Sequence, residues 1–376
     1  MVVYLFVFVF SLVIIYLFFE KKNLKGWQML LGGFIALLFP ILLAAFRDIE
    51  VGTDLSYYAL PIWSDATAWA HKEADLELRW DGIEKSYLWI NFVCAKISID
   101  IAFFLFVIQC LIIVPVFIAA IRLRKYVSPV FVMFIYYFTI YNETLNMIRQ
   151  SLAVSMSLLA FSYLITSKKR IAYSLYFITM LLHGSAIVGL LIPITHLILT
   201  KYNLSRKQIS FIMVCAFFAL GVVVLYAEQL MIFGMSHGLI DVKYMAYTSG
   251  EGMFTARLNK STILYDIIIF VFVFFTYKCN KTNTLLILFL VISLMSVLFD
   301  MTGLVTSYLS RMAKYPQIIS ILTIPYIFKQ IQKKQFNGYY AILPYYKILV
   351  VIFWFFTYII SNNGETYPYS SKILGI

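Results

Sequence analysis

The chain has 376 residues, 62% of them hydrophobic and 13% charged, with a formal net charge of +12 and a mean hydropathy of +0.87. A soluble domain carries about a quarter charged residues, so this composition excludes one and places the chain in lipid. The positive charges fall in small clusters between apolar runs, which argues against a nucleic-acid surface and follows the positive-inside rule.

Apolar runs cover residues 2–19, 27–46, 101–121, 129–145, 148–166, 171–182, 184–200, 208–230, 262–277, 284–299, 312–328 and 341–360. Runs close to the ~20 residues that cross a bilayer as helix argue against a barrel, whose strands alternate over about ten residues. The expected fold class is an all-α polytopic membrane protein with about 12 transmembrane helices. The connections alternate in character. Lys21/Lys22/Lys25, Arg122/Arg124/Lys125, Lys168/Lys169/Arg170, Lys201/Arg206/Lys207, Lys278/Lys281 and Lys329/Lys333/Lys334 hold more than half of the 30 basic residues. Of the acidic residues these connections hold only Glu20, and the other set holds nearly every carboxylate. Basic loops in the cytoplasm and both termini outside follow from that alternation. Met1 opens an apolar run with no basic stretch before it, which reads as a first transmembrane helix rather than a cleaved signal.

The chain reads as a single membrane domain, residues 1–376, with two long outer segments, 47–100 and 231–261. The first interleaves Trp63, Trp69, Trp80 and Trp89 with charges, a pattern of short amphipathic helices at the outer interface. The second is rich in Gly, Tyr and Ser and reads as a mobile loop. Between Arg170 and Lys201, His183-Gly184-Ser185 breaks the run after a dozen or so helical residues. That helix reaches roughly 18–20 Å, short of the ~30 Å hydrocarbon thickness. A broken hairpin with His183 facing an internal cavity is expected, because non-helical backbone at depth survives only against protein or water.

Arginine is costly near lipid, so arginines on the outer side are the informative exceptions. Arg47 closes the second run, Arg149 opens the fifth, Arg257 lies in the later outer segment and Arg311 opens the eleventh. Hydrogen-bonding groups accompany three of them: Gly52-Thr53-Asp54 with Arg47, Asn142, Glu143, Asn146 and Gln150 with Arg149, and Ser307, Tyr308, Ser310 and Tyr315 with Arg311. A planar fork of donors suits a phosphate or diphosphate, and a helix N-terminus adds to the attraction. For each arginine alone the competing reading is snorkelling to lipid phosphates or pairing with a nearby carboxylate.

Asp54, Glu143, His183 and Asp300 are the candidate acid/base groups. His71, His196 and His237 read as structural. Tyr57, Tyr58, Trp63 and Trp80 suit sugar stacking or, more commonly, interface anchoring. No histidine or carboxylate motif has metal-ligand spacing, and Cys94, Cys110, Cys215 and Cys279 form neither a zinc nor a disulfide pattern. No metal and no cofactor are expected.

Arg47-x4-Gly52-Thr53-Asp54-x2-Tyr57 after the second helix resembles the signature of Wzy-type polysaccharide polymerases, in particular the EpsG branch. Asn146-x2-Arg149-Gln150, His183-Gly184-Ser185 and Arg311-x3-Tyr315 follow in the order that family shows. The resemblance spans nearly the whole chain. It implies a glycosyltransferase of GT-C-like architecture in the bacterial inner membrane, with both termini periplasmic. Such an enzyme joins oligosaccharide repeat units carried on undecaprenyl diphosphate at the periplasmic face, building O-antigen, capsule or exopolysaccharide. Its implied partners are that lipid-linked substrate, membrane lipids, and a flippase and chain-length regulator of the same pathway, with no nucleic acid. Arg47, Arg149, Arg311 and Arg257 would hold the donor together with Thr53, Asn146, Gln150 and Tyr315. Asp54 or His183 would be the base and Glu143 an orienting partner. The rivals are a flippase for lipid-linked oligosaccharide, which would show related halves and charges near the midplane, and an O-antigen ligase, which shares the arginine logic.

Overall fold

The computed structural model describes residues 1–20, 25–71, 80, 82–202, 206–238, 259–279, 283–304, 307–333 and 341–376. Arg257 and most of the 231–261 segment lie outside them. Among the described residues every regular element is helical. Each of the twelve apolar runs is helix, but not each is one clean crossing. Among the described residues, eight helices are long and apolar enough to span a bilayer: Val2–Glu20, Gly26–Ala45, Ile101–Arg122, Ile148–Ile165, Gly184–Lys201, Lys260–Lys278, Thr284–Leu304 and Ile342–Ile360. The molecule is therefore a multi-pass helical membrane protein.

The chain forms two compact units, Met1–Ile187 with Pro325–Ile376, and Val188–Ile324. In the first, α1 (Val2–Ile15), α2 (Gly26–Ala45), α5 (Ile101–Arg122) and α8 (Ile148–Ile165) are the long helices. α9 (Lys169–Leu182) has 14 residues, about 21 Å at the helical rise, and ends at an extended His183. The expected break is where the sequence put it. Exposed Val2, Phe6, Val9 and Val13 run down one face of α1, and Trp27, Leu30 and Phe34 down α2. Such stripes cost nothing against lipid tails, which are as apolar as they are.

Where one long crossing at 129–145 was expected, the chain makes α6 (Pro129–Thr139) and a single short turn of helix, α7 (Tyr141–Asn146), with irregular backbone at Ile140 and Met147. Exposed backbone groups here would be costly, so side chains supply the partners. Tyr358 Oη donates to the Thr139 carbonyl at 2.7 Å. Trp354 Nε1 donates to Asn142 Oδ1 at 2.9 Å, and Asn142 Nδ2 to Thr366 Oγ1 at 3.0 Å. Tyr141 Oη reaches the Pro40 carbonyl at 2.5 Å. Around these bonds Tyr4, Phe8, Tyr137, Tyr141 and Trp354 pack edge to face and stacked. Trp354 belongs to α17 (Ile342–Trp354).

The described residues of the first outer segment form helices that pack into this unit. α3 (Leu60–Ala70) and α4 (Lys85–Ile97) share a buried cluster with residues of α5 and α8. Trp63 stacks on Phe104 at 5.3 Å, and Trp80 Nε1 donates to Asp65 Oδ2 at 2.7 Å. Trp63 and Tyr58 are thus core residues and cannot stack on a sugar without leaving their places, whereas Tyr57 is exposed. The tail beyond Ile360 returns over residues 43–52. Tyr369 Oη bonds the Leu43 carbonyl at 2.8 Å, Asp48 N the Ser370 carbonyl at 3.0 Å, and Gly52 N the Glu365 carbonyl at 2.8 Å.

In the second unit, α10 (Leu191–Lys201), α13 (Lys260–Cys279) and α14 (Thr284–Met301) are apolar, as is α11 (Arg206–Leu225); α12 is Ala227–Ser236 and α15 is Ser307–Ser310. α16 (Lys314–Lys333) crosses the boundary between the units at Pro325.

Asn142→Leu keeps the volume of the side chain but leaves the Trp354 N–H and the Thr366 hydroxyl without this partner. A loss of about 1–3 kcal/mol is expected, read as a lower unfolding midpoint in detergent. An unchanged midpoint would mean that these groups find other partners.

Candidate active site

The site begins with a carbonyl. Leu145 is the last residue but one of α7, so its C=O is among those that no further helical turn satisfies. Buried Arg47 supplies a donor, with Nη2 at 3.1 Å from Leu145 O, while Nε reaches Val51 O at 3.2 Å and Nη1 the Ala44 carbonyl. All three contacts are to backbone, so Arg47 ties the end of α2, its own loop and the end of α7 together. Gly52 sits against the same carbonyl with φ +90, and a Cβ there would lie 2.6 Å from Leu145 O. That position requires glycine twice over, by conformation and by space. One residue on, Asn146 Oδ1 accepts from Thr53 Oγ1 at 2.7 Å and from Asp54 N at 3.0 Å. The Arg47–Asp54 loop and the end of α7 are therefore held in one register.

Asp54 Oδ2 accepts from Tyr58 Oη at 2.7 Å. The Arg149 guanidinium lies over the Tyr58 ring, 4.6 Å from its centroid. Burial first, and the neighbouring Asp54 carboxylate second, push the Tyr58 phenol well above its ordinary pKa, so it stays a donor. Arg149 Nη1 then meets Glu84 Oε2 at 2.7 Å. The other Glu84 oxygen, Oε1, faces His183 Nδ1 at 2.5 Å and the Gly184 N–H at 3.3 Å. Glu84 and His183 each keep 17% of their side-chain surface open, and Arg149 keeps 21%. The cluster is sheltered but reachable.

Local structure explains why Glu84 points there. It is the N-cap of α4 yet makes no side-chain cap bond; its carboxylate turns toward His183 and Arg149 instead. Ser86 Oγ donates to the Leu181 carbonyl at 2.5 Å, pinning the start of α4 to the end of α9. Burial pulls the Glu84 carboxyl upward, but the hydrogen bond from His183 and the charge of the Arg149 guanidinium overrule it and hold it well below the usual carboxylate range. Glu84 is a carboxylate at any physiological pH.

Of the residues expected at a site, the structure thus brings Thr53, Asp54, Asn146, Arg149 and His183 together, with Arg47 behind them. Gln150 Nε2 lies 3.5 Å from Ser185 Oγ, beside the cluster. Glu143 is placed elsewhere: it is buried and meets the Tyr358 hydroxyl. In the second unit Asp300 Oδ2 and Asp266 Oδ2 each accept from Gln317 Nε2 at 3.0 Å. Arg311 opens the turn Arg311–Ala313 that leads into α16. Tyr315 is fully buried, against the spot where a Cβ on Gly189 would stand. Glu84 was missed by sequence reasoning, which took it for one of the interleaved charges of the outer segment. Its partners stand 65 and 99 residues away, so no spacing betrays it. No group of three or more His, Cys, Asp and Glu side chains that could hold a metal ion occurs among the described residues.

Gly52→Ala is expected to cost more than the ~1–2 kcal/mol of a left-handed backbone alone, read as a lower unfolding midpoint in detergent. Gly184→Ala is the control, since an added Cβ there has nothing within 4 Å. Equal midpoints for the two variants would show that the loop yields and that Gly52 sets no register.

No curated protein and no solved structure matches the chain. The model of the EpsG family matches residues 30–371, a range that takes in every segment of the cluster. With that match, the chain belongs to the EpsG family, and it is a polysaccharide-polymerase-like membrane protein.

Proposed function

We propose that this protein joins oligosaccharide repeat units carried on undecaprenyl diphosphate, at the periplasmic face of the bacterial inner membrane. The observation that carries this reading is the adjacency of an imidazole, a carboxylate and a guanidinium at His183, Glu84 and Arg149, in a chain of this family. The segments that carry Asp54, Glu84 and Arg149 belong to the carboxylate-rich connections, which supports the periplasmic face and both termini on that side. The apolar helices below suit a GT-C-like scaffold.

In this reading a growing chain is the donor and a hydroxyl of the incoming unit is the acceptor. Asp54 or His183 takes the hydroxyl proton, and the oxygen forms a bond to the anomeric carbon. The bond from that carbon to the lipid diphosphate breaks, and the diphosphate leaves with the electron pair. Arg149 offsets its charge, with Arg311 and Arg257 as further cations for the donor, so the step runs without a metal. Glu84 already balances Arg149, so Arg149 alone does not hold a diphosphate, and the other arginines are part of the proposal. Thr53, Asn146 and Gln150 stand beside Arg149 as further substrate-binding groups. Arg47 is a clasp for the loop, and Tyr315 a buried support for the helix after Arg311.

The test uses cells lacking the protein, with lipid-linked units probed by a membrane-impermeant glycosidase. Accessible single units without long polymer place the defect after flipping and support the polymerase. Inaccessible units would mean that the protein moves them, and the polymerase reading would fall. Arg149→Ala at normal protein level is expected to abolish long polymer; undiminished polymer would remove Arg149 from the mechanism.

A further inference from the structure

We infer that Glu84 sets the tautomer of His183, holding the proton on Nδ1 so that Nε2 is the proton acceptor of the site. The inference rests on the polymerase reading for its chemical use, but not for its geometry. A carboxylate oxygen only accepts. Oε1 lies 2.5 Å from Nδ1, so the bond between them needs a proton on Nδ1. In a neutral ring this leaves a lone pair on Nε2, and among the described residues nothing hydrogen-bonds that nitrogen. The tautomer of a histidine is set by the bond its other nitrogen makes.

Glu84 is well placed to enforce this. Oε2 is engaged by Arg149 and Oε1 also receives the Gly184 N–H, so three donors converge on two oxygens and the carboxylate cannot turn. The His183 backbone is extended and follows the last turn of α9, and α4 is fastened to that turn through Ser86 and Leu181. Ring and carboxylate thus ride on elements bonded to each other.

The arrangement also chooses between the two candidate bases. Asp54 holds Tyr58 with one of its oxygens, whereas the lone pair of Nε2 belongs to a ring that Glu84 holds in place through Nδ1. His183 Nε2 takes the proton of the acceptor hydroxyl, and that oxygen bonds the anomeric carbon. The carbon–oxygen bond to the lipid diphosphate breaks, and the imidazolium formed is stabilised by the adjacent carboxylate. Proton return from Nε2 to the departing diphosphate or to water restores the neutral ring. Glu84 touches no reacting atom and is a positioning residue.

Glu84→Gln makes a sharp test, because an amide has one oxygen. The charged donor of Arg149 takes that oxygen, and the amide NH2 then faces Nδ1, which must become an acceptor. The proton moves to Nε2, and the base is lost. The measurement is 15N NMR of the full-length chain, labelled at its 4 histidines, in detergent micelles, with His183 assigned by its disappearance in His183→Gln. Nδ1–H in the wild type and Nε2–H in Glu84→Gln are expected, with Glu84→Asp keeping the wild-type tautomer. Nε2–H in the wild type, or one tautomer in both proteins, would overturn the inference. The wild-type spectrum decides it even where Glu84→Gln does not fold.

Polymer synthesis in Glu84→Gln should fall about 10²-fold or more, the usual share of a general base, and recover in part in Glu84→Asp. A flipped tautomer with unchanged synthesis would also overturn it, since His183 would not then be the base. The spectrum is recorded without substrate, so a failure of the polymerase reading shows separately, in the accessibility of lipid-linked units.

Discussion

The first unit is organised around an unsatisfied carbonyl. Breaking the chain into α6, α7 and α8 places backbone oxygens where water is scarce, and such groups need partners from the protein itself. Leu145 O finds Arg47, and Gly52 closes against it because nothing larger fits. Asn146, the next residue, then fixes Thr53 and Asp54. A structural requirement of helix termination therefore positions the polar loop, and Arg47 is buried to meet it. The tail contributes to the same end, since Gly52 N is bonded to the Glu365 carbonyl.

A second constraint follows from charge. Arg149 at the beginning of α8 is partly sheltered and needs an anion, and His183 at the end of α9 needs a bond to fix its ring. One carboxylate, Glu84, meets both needs with its two oxygens. The cluster is close to neutral as a result, with Glu84 balancing Arg149. It suits moving a proton beside a developing charge better than gripping a fully charged diphosphate, which draws further cations into the proposed mechanism.

Membrane helices usually keep irregular backbone and ionised groups apart from lipid by covering them with protein. Here α3 and α4 provide that cover, and Trp63 and Tyr87 pack inward on Phe104 of α5. The four tryptophans of the segment looked alike in sequence. Packing separates them into a buried Trp63, a half-buried Trp69 against Phe92, a hydrogen-bonded Trp80 and an exposed Trp89.

Sequence by itself determined the helical membrane class, the position of the break at His183 and the family, because each rests on local constraints. Hydrophobic run length, a glycine at a tight approach and an arginine beside a helix end are all written over a few neighbouring residues. Tertiary structure alone decided that Glu84, and not Glu143, stands between His183 and Arg149. Nothing near Glu84 in the chain marks it, and Glu143, six residues before Arg149, lies in α7 ahead of the break at Met147 and meets Tyr358 instead. Contacts of this kind depend on how α4 docks against α8 and α9, which is a matter of packed surfaces and carries no periodicity to read.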